Sequence, residues 1–99
     1  MLREINGHKF TLVDRFPAKQ FHALLNRLML DADAFVKLGL DEQIKPYLGA
    51  ILAWPFSGDP QDPRAWEELD IFEELPLAFR VVNELAGERM KRLEGQAKN

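Results

Sequence analysis

Trp54-Pro55-Phe56-Ser57-Gly58-Asp59-Pro60-Gln61-Asp62-Pro63-Arg64-Ala65-Trp66-Glu67-Glu68-Leu69-Asp70-Ile71-Phe72 holds both tryptophans of the chain and three of its six prolines. Each proline fixes φ, lacks a backbone donor and drives its predecessor toward extended conformations. No helix or central strand can therefore run through from Trp54 to Pro63. Ser57 to Pro60 reads as turn chemistry. Asp62 directly before Pro63 is the N-cap and N1 pairing that starts a helix. Trp54, Phe56 and Trp66 are large rings in an otherwise polar loop, each able to bury about 150–250 Å². Two roles compete for them: pinning the loop onto the core, or forming an exposed aromatic patch for a partner. The first is the more economical. Trp54 continues an apolar stripe and is expected inside. Trp66, flanked by Glu67 and Glu68, is expected to stay partly exposed. Trp54, Phe56, Trp66 and Phe72 together are the candidate protein-interaction residues.

Toward the N-terminus, Asn6-Gly7 is a strong hairpin signal, because a type I′ turn needs positive φ at both positions. A two-residue loop pairs Ile5 with His8, Glu4 with Lys9, Arg3 with Phe10 and Leu2 with Thr11. The strand period then places Met1, Ile5, Phe10 and Leu12 on one face. Glu4 and Lys9 oppose each other on the other face. A helix is expected from Pro17 at N1, with Asp14 contributing to its cap and a stripe of Phe21, Leu24, Leu25, Leu28 and Met29. His22 and Asn26 fall off that stripe. Asp31 or Asp33 caps a short helix over Ala34 to Leu38, and Gly39 suits its C′ position. Asp41 is a further cap candidate. Ile44, Tyr47, Leu48, Ile51 and Leu52 read as the buried stripe of another helix that Trp54-Pro55 ends.

On the other side of the loop, Arg64 to Leu69 reads as a short helix. Asp70 and Glu73 have capping-box spacing. The last long helix carries Phe72, Leu75, Phe79, Val82, Ala86, Met90 and Leu93 in steps of three and four. Pro76 either starts that helix or kinks it. The expected fold is mainly α, one domain over residues 1–99: an N-terminal β-hairpin at 1–13 and a small bundle of four or five helices. The helices fall at 16–53 and 64–94, separated by the Pro-rich aromatic loop at 54–63, with a frayed tail at 95–99.

Hydrophobic content of 46 % beside 29 % charged residues is that of a globular chain. The net charge of −3 and a pI near 5.3 argue against a nucleic-acid partner, which needs clustered Lys and Arg. There is no cysteine, hence no disulfide framework or thiolate metal site. No apolar run approaches the roughly 20 residues that span a bilayer, so no membrane partner is expected. The N-terminal residues lack the pattern of a secretory signal.

Catalytic chemistry finds little purchase. Asp59, Asp62, Glu67, Glu68, Asp70, Glu73 and Glu74 form an acidic run without the spacing of a calcium loop. Helix N-termini explain it better. His8 and His22 stand apart, and Ser57 lacks a nucleophile-elbow context. The six glycines are scattered and form no phosphate loop. No catalytic, cofactor or metal residue is expected.

The segment from Leu52 to Pro76 resembles the tail assembly chaperones of long-tailed bacteriophages. The likeness lies in Trp54 and Phe56 ahead of the Gly58-Asp59-Pro60 turn, then Trp66, then the acidic Leu69-Asp70 stretch before the last helix. Asn6-Gly7 and Phe10 followed by a Pro17-led helix are also similar to small tail proteins. The resemblance implies a non-enzymatic role in the bacterial host cytoplasm. Such proteins bind the helical tape measure protein, keep it soluble and recruit tail tube subunits. Many exist in two lengths through a ribosomal frameshift, and this chain would resemble the short form. The alternative is a structural tail or head–tail connector component retained in the particle. The open hairpin edges and surplus aromatics point further to a homo-oligomer, as dimers or rings.

Overall fold

A computed structural model describes residues 1–97. Its elements are β1 (Leu2–Ile5), β2 (His8–Leu12), α1 (Ala18–Leu28), α2 (Ala32–Val36), α3 (Leu40–Ile44), β3 (Ile51–Ala53), α4 (Pro63–Glu67) and α5 (Glu74–Ala97), with a 3₁₀ turn at Lys45–Tyr47. The strands form one antiparallel sheet in the order β1-β2-β3.

The hairpin follows from its turn. Asn6 and Gly7 take φ of 50° and 80°, as a type I′ turn requires. The register is Leu2↔Thr11, Arg3↔Phe10, Glu4↔Lys9 and Ile5↔His8. Ile5, Phe10 and Leu12 are buried on one face, and Met1 packs beside them. A lone hairpin is marginal in water. Here it gains a third strand and the flank of α5, to which Arg3 is tied by a paired ion bridge with Glu88.

That third strand corrects the expected fold class: the protein is a small α+β domain, not a mainly α bundle with a hairpin attached. The predicted helix through Ile44 and Leu52 does not form. Pro46 enters a 3₁₀ turn, where its missing N–H does no harm, and Gly49 then reverses the chain at φ 88°. Ile51 to Ala53 pair with the free side of β2, at Leu12↔Ile51 and Thr11↔Ala53 across an irregular register. The side chains obey the strand period: Ile51 is 0 % exposed and Leu52 52 %. Ile44, Tyr47 and Ile51 are all buried, yet they come from three different elements.

The helices start where their caps dictate. Asp31 Oδ1 accepts from Ala34 N–H at 2.7 Å, and Asp62 Oδ1 from Arg64 N–H at 3.0 Å. Pro17 stands at the N-cap of α1 and not at N1, and Asp14 makes no cap bond there. The Asp14 carboxylate instead faces the Met1 ammonium at 3.3 Å. Gly39 has φ −64° and precedes α3, so it is the N-cap of that helix and not a left-handed C′ residue.

Before α5, Asp70 Oδ2 accepts from both Phe72 N–H and Glu73 N–H, while Glu74 Oε1 accepts from Asp70 N–H. This is a reciprocal box, closed one residue later than the spacing predicts. Pro76 does not start α5, which begins at Glu74; it lies in the first turn, where a missing donor breaks no helical bond. The helix buries Leu75, Ala78, Val81, Val82, Leu85 and Ala86. The expected stripe overshoots at both ends: Phe72, Met90 and Leu93 are exposed. Of the tail predicted to fray, residues 95–97 are helical and the last two lie outside the described residues.

The cap gives a first prediction. Asp70→Ala removes the acceptor for two backbone donors and should cost about 0.5–2 kcal/mol, read as a lower urea midpoint at unchanged slope.

Candidate functional site

The aromatic loop becomes a clamp through its turn. Asp59 Oδ1 accepts from Gln61 N–H at 2.9 Å, and Gln61 Nε2 reaches the Ile51 carbonyl at 2.7 Å, which fastens the loop to β3. Gly58 has φ 84°, and a Cβ there would lie 2.8 Å from the Ala65 Cβ. Only glycine allows both the turn and the close approach of α4. Once folded, the loop brings Trp54 and Trp66 to a ring-centroid distance of 5.3 Å.

Trp66 is 0 % exposed, and its Nε1–H donates to the Pro60 carbonyl at 2.8 Å. Its ring lies among Trp54, Tyr47 at 6.2 Å and Phe79 at 6.0 Å. Trp54 is half-buried and donates Nε1–H to the Gly58 carbonyl at 2.9 Å. The expected ranking is therefore reversed: Trp66 is the interior residue and Trp54 the one that keeps a wet edge. The acidic neighbours of Trp66 point away on a short helix and say nothing about the face its indole occupies. Phe56, also half-buried, packs against Trp54, Phe10 and His8. Phe72 stands apart from this group at 87 % exposed. Of the four candidate residues, three are brought together and one is not.

The ring network continues past Trp66 to an opening. Tyr47 and Phe79 lie 4.6 Å apart, and Phe35 meets Phe79 edge-on at 5.8 Å. Phe35, Phe79, Leu28, Leu30 and Pro76 line an open groove of about 600 Å³ between the α1–α2 corner and α5. Arg27, Asp31, Arg80 and Glu84 lie around it. Gln43 Nε2 fixes one wall by donating to the carbonyls of Phe35 and Leu38 at 3.0 and 3.2 Å. Arg27 donates to the Glu42 carbonyl at 2.8 Å, while its Nε is buried without a partner among the described residues.

At the bottom, the Tyr47 hydroxyl donates to Asn83 Oδ1 at 2.9 Å. Burial pushes the pKa of this phenol above its ordinary 10.0, against the opposing pull of the Asn83 bond and of Arg27. Sequence reasoning missed the groove because its walls lie far apart in the chain. The one local signal was the apolar run Leu28-Met29-Leu30, which continues past the end of α1.

The acidic run works in caps and turns, through Asp59, Asp62, Asp70 and Glu74. Among the described residues no group of three His, Asp or Glu could hold a metal ion, and no helix is long and apolar enough to cross a membrane. The groove is a surface for apolar contact with a charged border. Comparisons of the chain with protein-family models, curated proteins and solved structures find no match.

Two outcomes follow. Trp66→Ala should cost about 3–5 kcal/mol in urea unfolding, and Trp54→Ala clearly less, since Trp54 leaves less area behind. Above pH 10 the unfolded chain ionises Tyr47 before the folded one does. The stability tied to this group is complete below the ordinary pKa of 10.0 and is lost as pH rises through the higher folded value. A Tyr47→Phe variant, compared with the parent in urea unfolding from pH 9 to 11, should show the smaller decline.

Proposed function

We propose that this chain is a non-enzymatic phage tail assembly chaperone that covers apolar stripes of the tape measure protein and recruits tail tube subunits. The observation that carries the reading is the groove between the α1–α2 corner and α5. Its apolar lining of Phe35, Phe79, Leu28 and Pro76 suits the apolar face of an amphipathic helix, and its charged border suits the polar flanks. The resemblance over Leu52 to Pro76 supports the same reading, although its tryptophans brace the fold from behind and do not form the groove. A chaperone must release its client. An open groove with few fixed polar contacts favours reversible binding, because affinity then rests on a few anchors and not on the whole area.

The test is co-expression with the tape measure protein, followed by pull-down and by analysis of finished particles. The chain should co-purify with the tape measure and be absent from mature tails. Presence in mature tails at fixed stoichiometry would establish a retained connector instead. Leu28→Glu, at a residue already partly exposed on the groove wall, should leave the circular dichroism spectrum and urea midpoint nearly unchanged and abolish co-purification.

A further inference from the structure

The two ends of α5 carry opposite chemistry. At its N-terminal end Ile71 and Phe72 project at 65 % and 87 % exposure. Exposed Glu67, Glu68 and Glu73 surround them in the chain. This is an apolar knob in a mainly acidic setting, the one arginine beside it, Arg80, being paired with Glu84. At the other end Phe16, Ala18, Phe21 and Leu93 line a cavity of about 470 Å³ beside Arg15, His22, Arg89 and Arg92. Asp14, which also lines the cavity, faces the Met1 ammonium, and Glu88 is bridged to Arg3. Arg89 is held in place by donating to the neutral Asp14 carbonyl at 3.0 Å, and it and Arg92 feel Glu88 only at a distance, without a direct bridge. Among the described residues Arg15, Arg89 and Arg92 have no ion-pair partner. This is an apolar socket in a basic setting, on a protein whose net charge is −3.

We infer that the socket takes the Ile71–Phe72 knob of a second copy of this chain, so that copies join head to tail. The charges agree in sign: carboxylates of the knob meet arginines of the socket as Phe72 leaves water for an aromatic floor. A chain cannot fill its own socket, because Glu74, two residues after Phe72, and Arg92 are already about 27 Å apart at 1.5 Å of rise per residue. The contact also cannot close as a simple two-fold pair. Phe72 and Glu73 lie with Pro76, Leu77 and Arg80 beside the hairpin turn at Asn6 and His8. At 3.6 residues per turn, positions 76, 77 and 80 fall on the side of α5 opposite 89, 92 and 93. Knob and socket thus face away from each other. Such a contact is heterologous and propagates to an open chain or a ring. This inference does not depend on the tape measure reading: Pro76 and Arg80 border both the knob and the groove, but Ile71, Phe72 and the socket residues lie outside the groove.

Light scattering after size exclusion tests it over a concentration series at low salt. The mass of the parent should rise past that of a dimer and fall back toward the monomer when salt screens the charges. Phe72→Glu spoils the knob and keeps the socket. Arg15→Glu with Arg92→Glu spoils the socket and keeps the knob. Each variant should keep its circular dichroism spectrum and run as a monomer. Mixed, they should form a one-to-one pair and nothing larger, because each supplies the half that the other lacks. A parent that stays monomeric throughout, a parent that stops at a dimer, assembly that survives Phe72→Glu, or a mixture that fails to pair would each overturn the inference.

Discussion

The burial of one indole holds this domain together. Trp66 is the largest side chain fully withdrawn from water, and its single donor is satisfied by the Pro60 carbonyl. An unsatisfied N–H at that depth would offset part of what the ring gains by burial. The bond is available only because Pro60 terminates a turn that Gly58 makes possible and Gln61 fastens to β3. Loop, sheet and helix α4 are therefore conditions for one another. Removing any one of them leaves the indole either unpaired or exposed.

Through Trp66 the sheet side communicates with the helical side. Phe56 touches Phe10 of β2 and Trp54; Trp54 touches Trp66; Trp66 touches Tyr47 and Phe79; Phe79 touches Phe35. The rings meet tilted or edge-on, the arrangements that aromatic quadrupoles favour. The groove at the far end thus has a rigid floor on one side. Its other side, at Leu28 and Leu30, is formed by the end of α1 and the short connection into α2.

Local rules of backbone chemistry were legible in the sequence; choices made by distant partners were not. Asn6-Gly7 specified the hairpin and its register, and Asp31, Asp62 and Asp70 marked helix starts because caps act within a few residues. Ile51 and Leu52 were misread because a run of apolar residues satisfies both helix and strand periods over so short a distance. What decided was the unpaired side of β2, about which the local sequence is silent. Trp66 was misplaced for a related reason. Its neighbours Glu67 and Glu68 describe the outer face of a short helix, while its own side chain points to the other. The candidate site was legible only in part: the clustering of Trp54, Phe56 and Trp66 followed from their loop, but the groove joins residues near 30 to residues near 80.

Helix α5 passes through two physical regimes along its length. As far as Ala86 it is held by apolar burial on a broad face. Beyond Gly87, a residue that weakens helices by about 1 kcal/mol relative to alanine, the visible ties are ionic and polar: Glu88 to Arg3 and Arg89 to the Asp14 carbonyl. The Arg3 guanidinium holds the Glu88 carboxyl below the usual carboxylate range. Heat and denaturant act chiefly on the first regime, whereas ionic strength acts on the second. The helix is thus continuous in geometry but not in stability. Its distal part, with little buried apolar surface, is the segment expected to open at the lowest free-energy cost while the tryptophan core stays closed.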